Sequence, residues 1–493
     1  RPPRSTLFPY TTLFRSCDGK SLRPSILIGK IKKMYPKLQE KSDVIYKEYK
    51  VENKISTYEQ LIENISRLRN KEKIDDIWYY IYQYYKSQSD WNKKLEADLK
   101  GLEYTNLPEK IKKENLEKLY GNTLNTSISR LEKYRSCPFS YYLQYGLKLK
   151  EKEQLKIQSF NTGSFMHETI DEFFEYVRQE GLSLAELEEE QITRIVSEII
   201  ENNLKMSKNY IFTATAKYKV LVRRLKKIVS KALKYIIETI IYSDFSIEGT
   251  EVEFGKNGRY KPIVLEIGEG KKVEITGKID RIDTSKNEDG KYLRIIDYKS
   301  SAKNIDLNEV YAGLQIQLLT YTDAICREED IMPAGVFYFS LLEQMVKADK
   351  KMTEDEIEET IRKNFKMKGL IIADVKIIKM NDNTLKTGNS KLVPAALTTS
   401  GTINEKWTNG VKAEEFRTLQ EYIYKTIKDI SKEILGGNID LKPYYKKGKT
   451  PCQYCEYKAV CGFNSRQENN TYNYIEQKSK DEILLKMKKN LEE

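Results

Sequence analysis

Two extended segments, GKIDRID at 277–283 and RIIDYKS at 294–300, constrain this chain more than any other feature. They are joined by Asn287-Glu288-Asp289-Gly290-Lys291. Val273, Ile275, Gly277 and Ile279 alternate with polar residues, an Asp-Gly turn follows, and Leu293 and Ile295 resume the alternation. Period-two alternation on both sides of a turn predicts an antiparallel β-hairpin. Successive strand side chains point to opposite faces, so Asp297 and Lys299 share a face, and Asp280 closes the preceding strand. Two carboxylates and a lysine at one sheet edge suit Mg²⁺-assisted phosphodiester hydrolysis. The carboxylates hold a hard cation, and the ammonium orients the water or balances developing charge. Taken alone, a solvated hairpin carrying the same residue types accounts for the pattern equally well.

The neighbourhood shifts that balance. GLQIQLLTY at 313–321 reads as a helix with Gln317 and Tyr321 one turn apart on one face. GSFMHETIDEFFEYV at 163–177 reads as an amphipathic helix with Phe165, Met166, Ile170, Phe173 and Phe174 as its apolar stripe. It carries His167, the single histidine of the chain. A lone helical histidine is more often structural than a ligand. The order Gly-x-x-x-His, Asp, Asp-x-Lys, Gln-x-x-x-Tyr nevertheless resembles the RecB-like nucleases of the PD-(D/E)xK superfamily. That resemblance implies an α/β, restriction-endonuclease-like core with large helical insertions, preceded here by a helical segment. It implies that His167, Asp280 and Asp297 surround Mg²⁺, with the Tyr298 backbone carbonyl adding a ligand. Lys299 is then catalytic, and Gln317 and Tyr321 complete the catalytic set from a helix that supports the site and the DNA.

Six cysteines give a second signal: Cys17, Cys137, Cys326, Cys452, Cys455 and Cys461. The last three form Cys-x2-Cys-x5-Cys, one thiolate short of a tetrahedral site, so a fourth ligand must come from elsewhere. A long chain without a signal peptide reads as cytoplasmic, where such spacing points to metal or redox chemistry rather than disulfides. By chemistry alone, four thiolates suit zinc or an iron–sulfur cluster. One cysteine before the nuclease motifs and three after them resembles the iron–sulfur nucleases, which include AddB, Dna2 and Cas4 proteins. The resemblance implies that Cys137, Cys452, Cys455 and Cys461 hold a [4Fe–4S] cluster clasping the two ends of the nuclease domain. Cys17 and Cys326 fall outside the pattern, and Cys326 reads as a core residue.

At 493 residues the chain exceeds one ordinary domain, and no run of about 18 apolar residues marks a membrane span. The net charge of +12 fits a polyanionic partner, though a Lys-rich and Ile-rich composition also follows from an AT-rich genome. Around 220–241, Leu221, Leu225, Ile228, Val229, Ala232 and Ile236 form an apolar stripe. Arg223, Lys227, Lys231 and Lys234 recur on another face, either as ordinary solvated surface or as a track for DNA phosphates.

Residues 1–16, rich in Arg, Pro, Thr and Phe, do not match the remainder and read as an adapter artefact. Residues 17–120 carry helical periodicity, with Pro36 ending one element. LRPSILIGKIKKMYP resembles the stretch closing the helicase-like region of AddB proteins, and the likeness runs on through SISRLEKYRSCPFSYYLQYGL, FKMKGLIIADV and GGNIDLKPYYKKGKTPCQYCEYKAVCGF. The whole resembles the C-terminal part of that family. The implied layout is a helical end of the helicase-like region at 17–120, an iron–sulfur nuclease domain at 121–470, and a terminal helix at 471–493. The resemblance further implies an exonuclease acting on the 5′-ended single strand at double-strand breaks, in preparation for homologous recombination, within a heterodimer whose AddA subunit supplies the motor. No ATP site is expected in this stretch: Gly448-Lys449-Thr450 has Pro443 where a phosphate-binding loop needs glycine. Two other readings stay open, a stand-alone Cas4-like exonuclease and a DNA-binding subunit that does not cut. The intact acids and lysine disfavour the second.

Overall fold

A computed structural model describes residues 25–37, 51, 53–102, 105–150, 159–341, 353–467 and 469–492. Cys17 and the divergent first sixteen residues lie outside them. The chain divides into two compact units between Thr105 and Asn106. That break comes earlier than the one after residue 120 expected from the sequence, because the helix Lys113–Tyr120 packs on the strand Thr123–Thr126 of the second unit.

The first unit is helical: Ile26–Met34, Lys54–Arg69, Ile77–Ser87 and Ser89–Leu102. The first of these stops two residues before Pro36, as the imide ring requires. The Asn53 side chain accepts hydrogen bonds from the amides of Ile55 and Ser56 and so starts the second. Tyr58, Leu61, Trp78, Tyr85 and Leu95 form the core.

The second unit is built on a six-stranded mixed sheet. Its strands are β1 (Ser246–Phe254), β2 (Gly277–Asn287), β3 (Gly290–Lys299), β4 (Met332–Ser340), β5 (Lys368–Ile372) and β6 (Gly410–Val411), lying side by side in chain order. β1–β2, β2–β3 and β4–β5 pair antiparallel, whereas β3–β4 and β5–β6 are parallel. Five helices matter for the site: α1 (Ile128–Ser136), α2 (Ser159–Gln179), α3 (Ala216–Ile241), α4 (Gln317–Glu329) and α5 (Ala413–Leu435). Helix α4 is the crossover that makes β3 and β4 parallel.

Both faces of the sheet are covered. Leu293 and Ile295 of β3 and Ala334 and Val336 of β4 enter a core with α1, α4 and α5. Ile296 and Tyr298, with Phe337 and Phe339, enter a second core with α2 and α3. This is period-two alternation with both sides buried. All five apolar residues of the α2 stripe are buried in that second core.

The hairpin differs from its expected form in two ways. The alternation of 273–279 is broken at Thr276. Lys271–Ile275 joins a separate three-stranded sheet with Thr123–Thr126 and Ile263–Gly268, and β2 begins only at Gly277. The turn is the pair Glu288–Asp289, flanked by the paired residues Asn287 and Gly290, whose φ is +141°.

Beneath the hairpin lies a buried charge cluster. Asp283 receives two bonds of 2.6 Å from Arg281 and one of 2.8 Å from Arg294, all three side chains being at most 1% exposed. Arg294 also donates to the Thr239 carbonyl at 3.0 Å and lies over the Phe245 ring. The terminal helix Lys480–Glu492 buries Ile483, Leu484 and Met487 against the first core and packs on α5. It belongs to the second unit and not to a separate segment.

Candidate active site

One step beyond the ladder pair Arg281–Ile296, Asp280 comes abreast of Asp297. Asp280 Oδ2 accepts a 2.8 Å hydrogen bond from the Tyr298 amide and lies 3.3 Å from His167 Nδ1. Lys299 Nζ sits 2.5 Å from Asp297 Oδ2. Helix α2 delivers the imidazole, whose ring meets Tyr298 edge-on at 5.8 Å. Burial, reinforced by the charge of Asp280, pushes the Asp297 carboxyl up to about 6, while Lys299 and Lys303 oppose the rise. Burial alone would lower the pKa of Lys299, yet Asp297 and, less strongly, Asp280 and Glu132 raise it. The lysine therefore stays an ammonium. For His167 burial lowers the pKa, but the Asp280 hydrogen bond and charge more than offset it.

The donor set is one imidazole nitrogen among carboxylate oxygens, which suits a hard divalent cation such as Mg²⁺ or Mn²⁺. Ligand atoms of His167, Asp280 and Glu251 lie within 4.8 Å of one another. Asp297 is not part of that group and is held by Lys299, while its charge is felt by His167 and that of Asp280 acts on it. Glu251, on β1, was not legible as a site residue. It stands in an ordinary alternating segment, and only the pairing of β1 with β2 brings it to Asp280.

A second missed residue is Glu132 on α1. Its Oε1 accepts from the amides of Ile316 at 2.8 Å and Gln317 at 3.0 Å, capping the N-terminus of α4, where negative charge is favoured. Burial raises its pKa against the opposing charges of Lys303 and Lys299 and the two backbone bonds. Gln317 sits in the first turn of α4, and Tyr321 is 3% exposed, stacked on Phe254 with centroids 5.3 Å apart. A Cβ on Gly277 would lie 2.0 Å from the Tyr321 hydroxyl. Tyr321 is therefore a strut behind the start of β2.

Residues 125–462 match the family described as the PD-(D/E)XK nuclease superfamily. The chain belongs to that superfamily. Residues 48–101 match the ATP-dependent helicase/deoxyribonuclease AddB fifth domain. The B subunit of the ATP-dependent helicase/deoxyribonuclease of Clostridium novyi (strain NT) is 37% identical over 488 residues, covering 97% of this chain and 43% of that protein. Its counterpart in Acetivibrio thermocellus is 36% identical over 488 residues, 97% of this chain and 42% of that protein. The Clostridium tetani counterpart is 36% identical over 485 residues, again 97% of this chain and 42% of that protein. The chain spans less than half the length of these relatives.

In this PD-(D/E)XK unit, Cys452, Cys455 and Cys461, and Cys137 implied by the resemblance, line one small apolar pocket. Cys137 caps the C-terminus of α1 and is 7% exposed, Cys452 lies within the turn Pro451–Tyr454, Cys455 follows it, and Cys461 ends the helix Lys458–Cys461. None is in a disulfide. Burial pushes the Cys137 thiol up to about 12, so a thiolate there requires a cation. No three of these sulfurs lie within 4.8 Å of one another. Around one zinc with bonds of about 2.3 Å, tetrahedral geometry would bring them to roughly 3.8 Å. The early and late segments of this unit are also stitched directly. Tyr457 donates to the Leu149 carbonyl at 2.9 Å, Asn106 to the Cys461 carbonyl at 3.0 Å, and Tyr134 to the Asn438 carbonyl at 3.2 Å. Cys326 packs at the edge of the first core, and burial raises its pKa as well.

The basic face of α3 does not survive intact. Arg223 and Lys227 are exposed, but Lys234 is 2.9 Å from Glu189 and 3.4 Å from Glu358. Lys231 is half-buried beside the same Glu358. Lys234 thus shares its charge with two acids, in competition with the expected phosphate track. Among the described residues, no helix is long and apolar enough to cross a membrane.

Proposed function

We propose that this chain carries the nuclease of an AddB-type subunit, a Mg²⁺-dependent exonuclease acting on the 5′-ended single strand of unwound DNA. The observation that carries the reading is Asp280 abreast of Asp297, with Lys299 on the same face as Asp297 and His167 closing the far side. His167, Asp280, Asp297 and the Tyr298 carbonyl would hold the cation. When bound, it supplies Lewis acidity toward the phosphate and a lowered pKa for water. Lys299, kept charged by Asp297, orients the attacking water and offsets charge on the pentavalent phosphorus. Glu132 and Tyr321 fix α4 and β2, and so the placement of these groups.

In this reading the protein works in the cytoplasm, paired with an AddA helicase–nuclease, on broken DNA ends destined for homologous recombination. Cys137, Cys452, Cys455 and Cys461 hold a [4Fe–4S] cluster with a mechanical role. Four thiols gathered in one small apolar pocket, with one from before the nuclease motifs and three from after them, support this cluster. The test is cleavage of a 5′-labelled single strand in Mg²⁺. Asp297→Ala and Lys299→Ala should each lower the rate by at least about 10²–10³-fold, with DNA binding retained. Wild-type-like cleavage by either variant would sink the assignment.

A further inference from the structure

Glu251 lies across from Asp280, between the ladder pairs Thr250–Arg281 and Val252–Ile279. Its φ is +48°, and it is the one described non-glycine residue inside a strand of the central sheet with positive φ. Such a conformation costs energy for a residue with a Cβ and persists where its surroundings impose it. The surroundings here are specific. The neighbouring Thr250 hydroxyl donates to Asp171 on α2, one helical turn beyond His167, and so ties the bent part of β1 to the helix carrying the imidazole.

The Glu251 carboxylate is 16% exposed, and its cationic partner is Lys278 at 2.5 Å. Lys278 is 48% exposed and lies two residues before Asp280 on the same strand. Two enclosed carboxylates and an imidazole thus share less than 4.8 Å, and a flexible lysine at the rim offsets the charge of Glu251. An ammonium on a four-carbon stem leaves such a site for solvent at little cost, because half-exposed ion pairs contribute little.

We infer that Glu251 is a further protein ligand for the divalent cation at the His167–Asp280 end of the site, and that Lys278 competes with the cation for this carboxylate. The inference rests on the metal-dependent nuclease reading above but assigns a residue outside its motif. The donor count at that end becomes one nitrogen and two carboxylates, still oxygen-rich and open to water and phosphate. Asp297 reaches the ion from the other side of Asp280, and Lys299 acts beside it.

The experiment is direct binding of Mn²⁺ to the full chain without DNA, read by loss of the free-ion electron paramagnetic resonance signal. Glu251→Gln should weaken Mn²⁺ binding by about 10–100-fold, the scale for disturbing a metal's protein environment. Glu251→Gly, which suits the positive φ, should weaken it to the same extent while keeping the parent melting temperature. Lys278→Met should tighten binding several-fold, and more so at low ionic strength. Parent-like Mn²⁺ affinity in both Glu251 variants, or no tightening in Lys278→Met, would overturn the inference and leave the nuclease reading standing. A parent protein that binds no Mn²⁺ would overturn both.

Discussion

Gly277 opens β2 three residues before Asp280, and the space a side chain would need there is taken. A Cβ would sit 2.0 Å from the Tyr321 hydroxyl oxygen and 2.8 Å from Cζ. Either Tyr321 or the strand must retreat by roughly 1.4 Å to restore ordinary contact near 3.4 Å. Tyr321 has little room, being 3% exposed and stacked on Phe254. Overpacking of this kind costs about 1–3 kcal/mol, so Gly277→Ala should melt several degrees below the parent. The larger effect falls on catalysis. If the strand yields, Asp280 moves with it, and a displacement of about 1 Å at a reacting group costs about 10²-fold. The assay is single-turnover cleavage of labelled single-stranded DNA, alongside thermal unfolding. Tyr321→Leu in the Gly277→Ala background should recover part of both losses, a non-additivity expected of residues in contact. Parent-like rate and melting in Gly277→Ala, or strictly additive effects in the double variant, would refute the strut.

Cys137→Ala should lose the iron and destabilise the nuclease unit although three thiols remain; closing a loop of roughly 300 residues stabilises by an upper scale of about 4–5 kcal/mol. Iron content and melting temperature check it. Glu132→Ala should cost about 0.5–2 kcal/mol through the lost cap of α4, measured by denaturant unfolding, and should slow cleavage. Neutralising Arg223 and Lys227 should flatten the log–log salt dependence of single-strand binding by roughly 0.7 for each phosphate no longer engaged, whereas Lys234→Ala should leave that slope unchanged. Burial alone would raise the pKa of Asp283, but Arg281 and Arg294 bring it below 3.8. Its stabilisation is therefore complete above the unfolded pKa of about 3.9 and is lost as pH falls through the lower folded value. Asp283→Asn should remove that acid-range loss from a pH series of unfolding free energies.

Much of the site was legible because its elements obey local rules. The α2 stripe and the shared face of Asp297 and Lys299 follow from periodicity within a short window, the Cys452–Cys455–Cys461 spacing is local, and Cys137 is joined to it only by the family resemblance. What stayed hidden depends on pairings between distant segments. Thr276 looks like an ordinary polar position in an alternating run, and only competition between two sheets ends the strand there. Glu132 reads as a solvated helix residue until α4 is docked on it. Lys234 belongs to a basic face until Glu189 and Glu358, remote in sequence, claim its charge. Glu251 reaches Asp280 only through the pairing of β1 with β2.

The salt cluster under the hairpin bears on how reliably the two acids end up opposite each other. Asp283 pairs directly with Arg294 in the ladder, and Arg281 lies on the same strand two residues before Asp283. If β2 slipped by one residue against β3, its side chains would change face, the Arg281–Asp283 pair would move away together, and Arg294 would be left buried without its carboxylate. Leaving such a charge buried and unpaired costs about 3–5 kcal/mol. A misaligned hairpin would thus be rejected while the sheet assembles, before DNA is ever met. The cluster borders the site only through the Tyr298 side chain, yet it acts as a proofreading key for the distance between Asp280 and Asp297.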